Sequence, residues 1–165
     1  MYGKIPPPSI LSDRSMDMSV RKEFDVELRI PSDMQFIELL DTVISDVLGK
    51  IDIEEDDKIA VNLALIEAGT NAIKHGNRND PTKDVHCIVS VEDDKLTIRI
   101  KDKGKGFDPE SLKDPLELEH LTDASGRGIY LINVLMDEVE YDFDLTGTEV
   151  RMTKYIKKGK SGEVN

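Results

Sequence analysis

The chain has no tryptophan, one cysteine, three histidines, four phenylalanines and four tyrosines in 165 residues. The lone Cys87 permits no internal disulfide and no cysteine-ligated zinc site. His75, His86 and His120 are scattered, which disfavours a multi-histidine metal centre. No run of about 18 apolar residues is present, so nothing reads as a membrane span. Near the start, where a secretory signal would need an apolar core, Pro6, Pro7 and Pro8 stand instead, and the expectation is a cytoplasmic protein. Positive charge is also scarce. Lys and Arg total 22 against 34 Asp and Glu, for a net charge of −12. That balance argues against direct nucleic-acid binding and against an anionic membrane surface, but leaves room for a local phosphate pocket.

What is present fits one domain. Folding at this length buries roughly two-thirds of the unfolded surface, enough for a real core. Residues 1–20 carry prolines and serines without periodicity and read as a flexible arm; 21–157 read as the domain and 158–165 as a flexible tail. Phe24, Val26, Leu28 and Ile30 alternate with polar residues as in a half-buried strand, ended by Pro31. Ser32 and Gln35 suit a capping box, and Phe36, Leu39, Leu40, Val43, Ile44, Val47 and Leu48 follow at helical spacing up to Gly49.

An acidic run, Asp52 to Asp57, opens a second helix, where carboxylates favour the positive helix end by about 0.3–1 kcal/mol each. This helix reaches His75, with Gly76 as its stop and a core stripe of Ile59, Leu63, Ile66 and Ile73. Gly69 inside it costs about 1 kcal/mol against alanine, which suggests a close backbone approach. Two alternating strands, 85–91 and 96–100, form a hairpin with Asp93 and Asp94 at its tip. An irregular stretch, 104–125, precedes a third helix near 127–137 and two strands near 138–144 and 148–156. The expected architecture is α+β: a two-layer sandwich of a mixed, mostly antiparallel sheet with helices on one face.

Four segments carry chemistry. Glu67, Asn71 and Lys74 fall in a narrow arc of the second helix, followed by His75 and Gly76. A carboxylate, an amide and an ammonium beside an apolar seam suit a phosphate and its metal, although a solvated helix face carries the same residues. Asp102, Gly104, Gly106 and Phe107 follow a strand directly. An aspartate there can accept a bond from an exocyclic amine, while the glycines let a ligand approach the backbone. The spacing fits neither a dinucleotide fingerprint nor a Walker loop. Gly126, Arg127, Gly128 and Ile129 open the third helix, where free amides bind phosphate. Gly147 and Thr148, at the start of the last strand, read alone as a hairpin turn.

In this order the four segments resemble the GHKL ATPase superfamily, with its Bergerat ATP-binding fold. Glu67–Gly76 is similar to the N box, Asp102-x-Gly104-x-Gly106 to the first glycine box, Gly126-x-Gly128 to the second and Gly147-Thr148 to the third. The likeness spans roughly 22–156. Within the superfamily, the runs 71–77 and 128–139 resemble the anti-sigma-factor serine kinases of the RsbW and SpoIIAB type. A sensor histidine kinase is disfavoured, because no helix with a phosphorylatable histidine precedes the N box.

The resemblance implies ATP and Mg2+ as cofactors. It implies Glu67 as the general base, Asn71 as the magnesium ligand and Asp102 as the receptor of the adenine amino group. Gly104, Gly106 and Phe107 would pass the base, and Thr148 would bond near it. Lys74, His75 and Gly76 would lie at the phosphates or their rim, and Gly126, Arg127, Gly128 and Ile129 would bring backbone to the phosphates. Residues 108–125 would form a lid. Gly69 departs from the family pattern and would loosen the catalytic helix. The lid's carboxylates at 108, 110, 114, 117, 119 and 123 against Lys113 would oppose phosphate entry or face solvent. Expected partners are a STAS-type anti-anti-sigma substrate, a sigma factor and a second copy of the chain. An alternative remains open: a nucleotide-gated binding switch with little or no kinase activity, in which ATP orders the lid.

Overall fold

The computed structural model describes residues 23–105 and 124–156. Five strands, β1 (Phe24–Pro31), β2 (Asp84–Val91), β3 (Lys95–Lys101), β4 (Glu138–Asp144) and β5 (Gly147–Tyr155), form one sheet in the order β1-β2-β3-β5-β4. Three helices accompany them: α1 (Ile37–Leu48), α2 (Glu55–Asn71) and α3 (Ala124–Leu135). The α+β expectation holds, with one correction. All the described strand pairs are antiparallel, so the sheet is not mixed. β3 and β4 do run the same way, but β5 lies between them, and the two never pair.

Alternation decides which face is covered. In β2 the odd positions Val85, Cys87, Val89 and Val91 are buried, and in β3 Leu96, Ile98 and Ile100 are. Period-two burial means one apolar face meets the helices and the other carries polar side chains. Across that open face Arg29 stands opposite His86, and His86 opposite Lys101. The inner face packs on Leu40 and Ile44 of α1, Val61 and Leu65 of α2, and Ile132 of α3, all fully buried. Full burial of such a side chain contributes about 1.5–3 kcal/mol. Burial also pushes the Cys87 thiol up to about 12, which leaves it an inert core residue.

Two local expectations are corrected. Ser32 does not cap the first helix. It is fully buried and bonds the Lys83 carbonyl through its hydroxyl at 2.8 Å. Asp33 caps instead, accepting from the Gln35 amide at 3.0 Å ahead of a 3-10 turn, Met34–Phe36. The stripe on α2 is also different: Ile59 and Leu63 are 55% and 47% exposed, while Val61, Ala64, Leu65, Ala68 and Gly69 are buried. α2 is the middle helix, touching α1, α3 and the sheet. Val61, Ala64, Leu65, Ala68 and Gly69 face those neighbours, while Ile59 and Leu63 turn outward.

Gly69 illustrates the same packing. A Cβ there would lie 2.8 Å from Leu40 Cδ1 and 2.9 Å from Ile37 Cδ1. The glycine therefore seats α1 closely on α2 rather than loosening the helix.

Candidate active site

α2 does not continue as an α-helix to His75. From Ala72 to Gly76 it widens into a π turn, closed by the Asn77 amide on the Ala72 carbonyl at 2.8 Å. Such turns concentrate at functional sites. The chain then reverses through Arg78 and Asn79, both at positive φ (57° and 55°). Lys74 and His75 are exposed on this wide turn, where the uniform α geometry behind the expected arc ends.

One turn earlier, Glu67 and Asn71 are partly buried and face α3. A Cβ on Gly128 would lie 2.8 Å from Glu67 Oε2, 3.3 Å from Asn71 Nδ2 and 3.6 Å from Asn71 Oδ1. The missing side chain at Gly128 thus leaves the carboxylate and the amide in contact range of the α3 backbone. α3 begins at Ala124, earlier than expected, so Gly126, Arg127 and Gly128 lie within its opening turns. The amides without intrahelical partners are those of the first four residues. Arg127 is exposed and Ile129 half-buried.

Asp102 follows β3 and is 7% exposed. Its carboxylate accepts the Gly104 amide at 2.7 Å, and its own amide donates to the Thr148 carbonyl at 2.9 Å. Burial pushes its carboxyl above the ordinary value; amide bonds from Gly104 and Thr148 and the charges of Lys83 and Lys101 pull the other way. Thr148 is buried beside it.

Three glycines bring these pieces together. A Cβ on Gly76 would overlap the Asp102 carboxylate, one on Gly104 would overlap the Gly76 backbone, and one on Gly147 would overlap the Asp102 carbonyl. Gly147 also has φ +151°, which a side chain rarely tolerates. The expectation of an ordinary hairpin turn at Gly147 therefore understates it: the residue is where β5 passes against Asp102. The structure joins Glu67 and Asn71 to Gly128, and Gly76 and Asp102 to Gly104, Gly147 and Thr148. Gly106, Phe107 and most of the expected lid lie outside the described residues.

Asn77 and Ser32 are polar, fully buried and absent from the expected site. The Asn77 amide nitrogen donates to Ser32 Oγ at 2.7 Å and to the Asp84 carbonyl at 3.1 Å, and Oδ1 accepts the Lys103 amide at 2.7 Å. The available signal was an amide directly after the helix-closing Gly76.

Among the described residues no group of three or more His, Cys, Asp or Glu could hold a metal ion. Magnesium bound to nucleotide takes most of its ligands from phosphates and water. A single side-chain oxygen such as Asn71 Oδ1 fits that need, and Asn71 lies against the opening turns of α3.

Residues 30–154 match the histidine kinase-like ATPase domain family. The chain is 34% identical over 144 residues to the serine-protein kinase RsbW of Staphylococcus aureus, covering 83% of this chain and 90% of that one. Among solved structures, the RsbU and RsbW domains of a Mycobacterium tuberculosis protein superpose with a TM-score of 0.60 at 14% identity, over 81% of this chain and 32% of that one. The blue-light activated histidine kinase of Erythrobacter litoralis gives 0.53 at 21% identity, over 81% and 44%. This chain therefore spans less than half of either solved chain, and at these identities the likeness is one of fold. No helix among the described residues is long and apolar enough to cross a membrane.

Proposed function

The chain belongs to the histidine kinase-like ATPase family and is an RsbW-like serine-protein kinase, and from that premise we propose how its residues work and on what. ATP binds with its adenine amino group on the Asp102 carboxylate and its phosphates toward Asn71 and the start of α3. Magnesium, when bound, neutralises phosphate charge and aligns the γ-phosphoryl group. Asn71 Oδ1 would hold the metal. Glu67 accepts the proton of a substrate serine hydroxyl as that oxygen bonds to the γ-phosphorus and the bond to the bridging oxygen of ADP breaks. The substrate is a serine on a STAS-type anti-anti-sigma protein, the second partner is a sigma factor, and the working form is a homodimer. The family resemblance supports these partners.

The observation that carries the mechanism is Gly128 seated against Glu67 and Asn71. It brings a carboxylate and an amide together against the opening turns of α3, where a phosphate and an incoming hydroxyl would meet them. Glu67→Gln should keep ATP affinity within about twofold and slow transfer of the γ-phosphate to a STAS-type protein about 10²–10⁴-fold. Undiminished transfer in that variant would sink the base assignment.

A further inference from the structure

Asn77 is 0% exposed, and its side chain joins three separate segments of the chain. Ser32 Oγ and the Asp84 carbonyl take its two N–H donors, and Oδ1 takes the Lys103 amide. Ser32 is fixed in turn, because its hydroxyl donates to the Lys83 carbonyl at 2.8 Å. One side chain thus ties the end of β1, the start of β2 and the glycine loop after β3 to the exit of α2.

The bond to Lys103 bears directly on Asp102. The Lys103 amide and the Asp102 carbonyl belong to one peptide unit. Asn77 holds its N–H edge, and Gly147 packs against its carbonyl edge. The peptide unit on the other side of Asp102 is held by the Thr148 carbonyl at 2.9 Å. With both flanking peptides fixed, the backbone angles of Asp102 are fixed, and so is the direction in which its carboxylate leaves the chain.

We propose that Asn77 is a positioning residue for base recognition: by gripping the Lys103 amide it aims Asp102 and thereby sets selectivity for a purine that carries a 6-amino group. This rests on the reading of Asp102 given above. Glu67 and Asn71 do not touch this network in the described bonds, so the selectivity of the base pocket is separable from the phosphate end.

The test compares ATP with purine riboside triphosphate, which has hydrogen in place of the amino group. In the native protein the analogue should bind about tenfold or more weakly than ATP, because the buried carboxylate loses its partner. In Asn77→Ala, ATP should lose about tenfold in affinity and the analogue far less, so that the ratio contracts to within about threefold. A purely structural Asn77 would weaken both nucleotides alike; a preserved ratio in the folded variant overturns the proposal. Should Asn77→Ala fail to fold, Ser32→Ala serves, since it removes one of the two acceptors that orient the amide. There the ratio should contract partway, and an unchanged ratio again overturns the positioning role. Equal binding of the two nucleotides by the native protein is a different failure: it removes the Asp102 assignment itself.

Discussion

The two ends of the sheet are joined by opposite means. At the end where β3 stops and β5 starts, Gly76, Gly104 and Gly147 let backbone pass against backbone around Asp102, with Asn77 as the buried tie. At the other end, long side chains do the joining. Lys154 of β5, with its side chain 13% exposed, reaches Asp57 of α2 at 3.0 Å, the Leu135 carbonyl of α3 at 3.1 Å and Asp137 at 3.5 Å. Beside it the Tyr155 amide donates to Asp137 at 2.7 Å, and the Tyr155 hydroxyl to Glu138 at 2.8 Å. The difference follows from use. A nucleotide needs space and exposed amides, which side chains would fill, so the site end is stripped to glycine. At the far end, charged side chains bind the helices to the sheet.

This contrast breaks most visibly at Gly147. Gly147→Ala adds a Cβ that overlaps the Asp102 carbonyl, in a backbone conformation that alanine avoids. Chemical denaturation should show a loss of more than about 3 kcal/mol, and ATP binding should disappear. A stable variant that binds ATP would show that the close approach is dispensable. Lys154→Met tests the other end. Removing the cation leaves Asp57 and Asp137 without it, for a loss of about 1–3 kcal/mol. Its affinity for ATP should stay within about twofold, since an effect confined to one end adds independently of the site; a large fall would merge the two regions.

The smallest effect on stability belongs to Asp102→Asn. Burial raises the Asp102 carboxyl in the folded state. A raised carboxyl contributes stability that is present below its unfolded value, near 3.8, and lost as pH rises through the folded value. At neutral pH the charged group is therefore a burden on the fold. The asparagine variant should be at least as stable as the native chain at pH 7, lose part of that advantage toward pH 4, and bind ATP poorly. Thermal melts across that range check it; a variant less stable than the native chain at neutral pH would contradict the account.

The residues proposed to react stand out only through the order of their segments. Glu67 and Asn71 taken alone also suit a solvated helix face, and they become candidates in company with the glycine segments at 102–106, 126–128 and 147–148. The strands too were plain, because one-sided burial writes itself as alternation in Val85–Val91 and Leu96–Ile100. Ser32 and Gln35 satisfy a local capping pattern, while the partners of the Ser32 hydroxyl, Asn77 and Lys83, are 45 and 51 residues away. Ile59 and Leu63 misled because α2 has neighbours on several sides. Its apolar residues do not define one stripe, and the close approach to α1 is made at Gly69. The π turn at 72–76 has no composition signal, so the expected arc assumes a uniform helix as far as Lys74.

One measurement reaches the central claim, that the glycine-lined end is a nucleotide site that uses magnesium: calorimetric titration of the full chain with ATP, with and without Mg2+. Saturable binding is expected, strengthened about tenfold or more by magnesium, in keeping with a metal shared between phosphates and Asn71. Absence of binding in both conditions would contradict it.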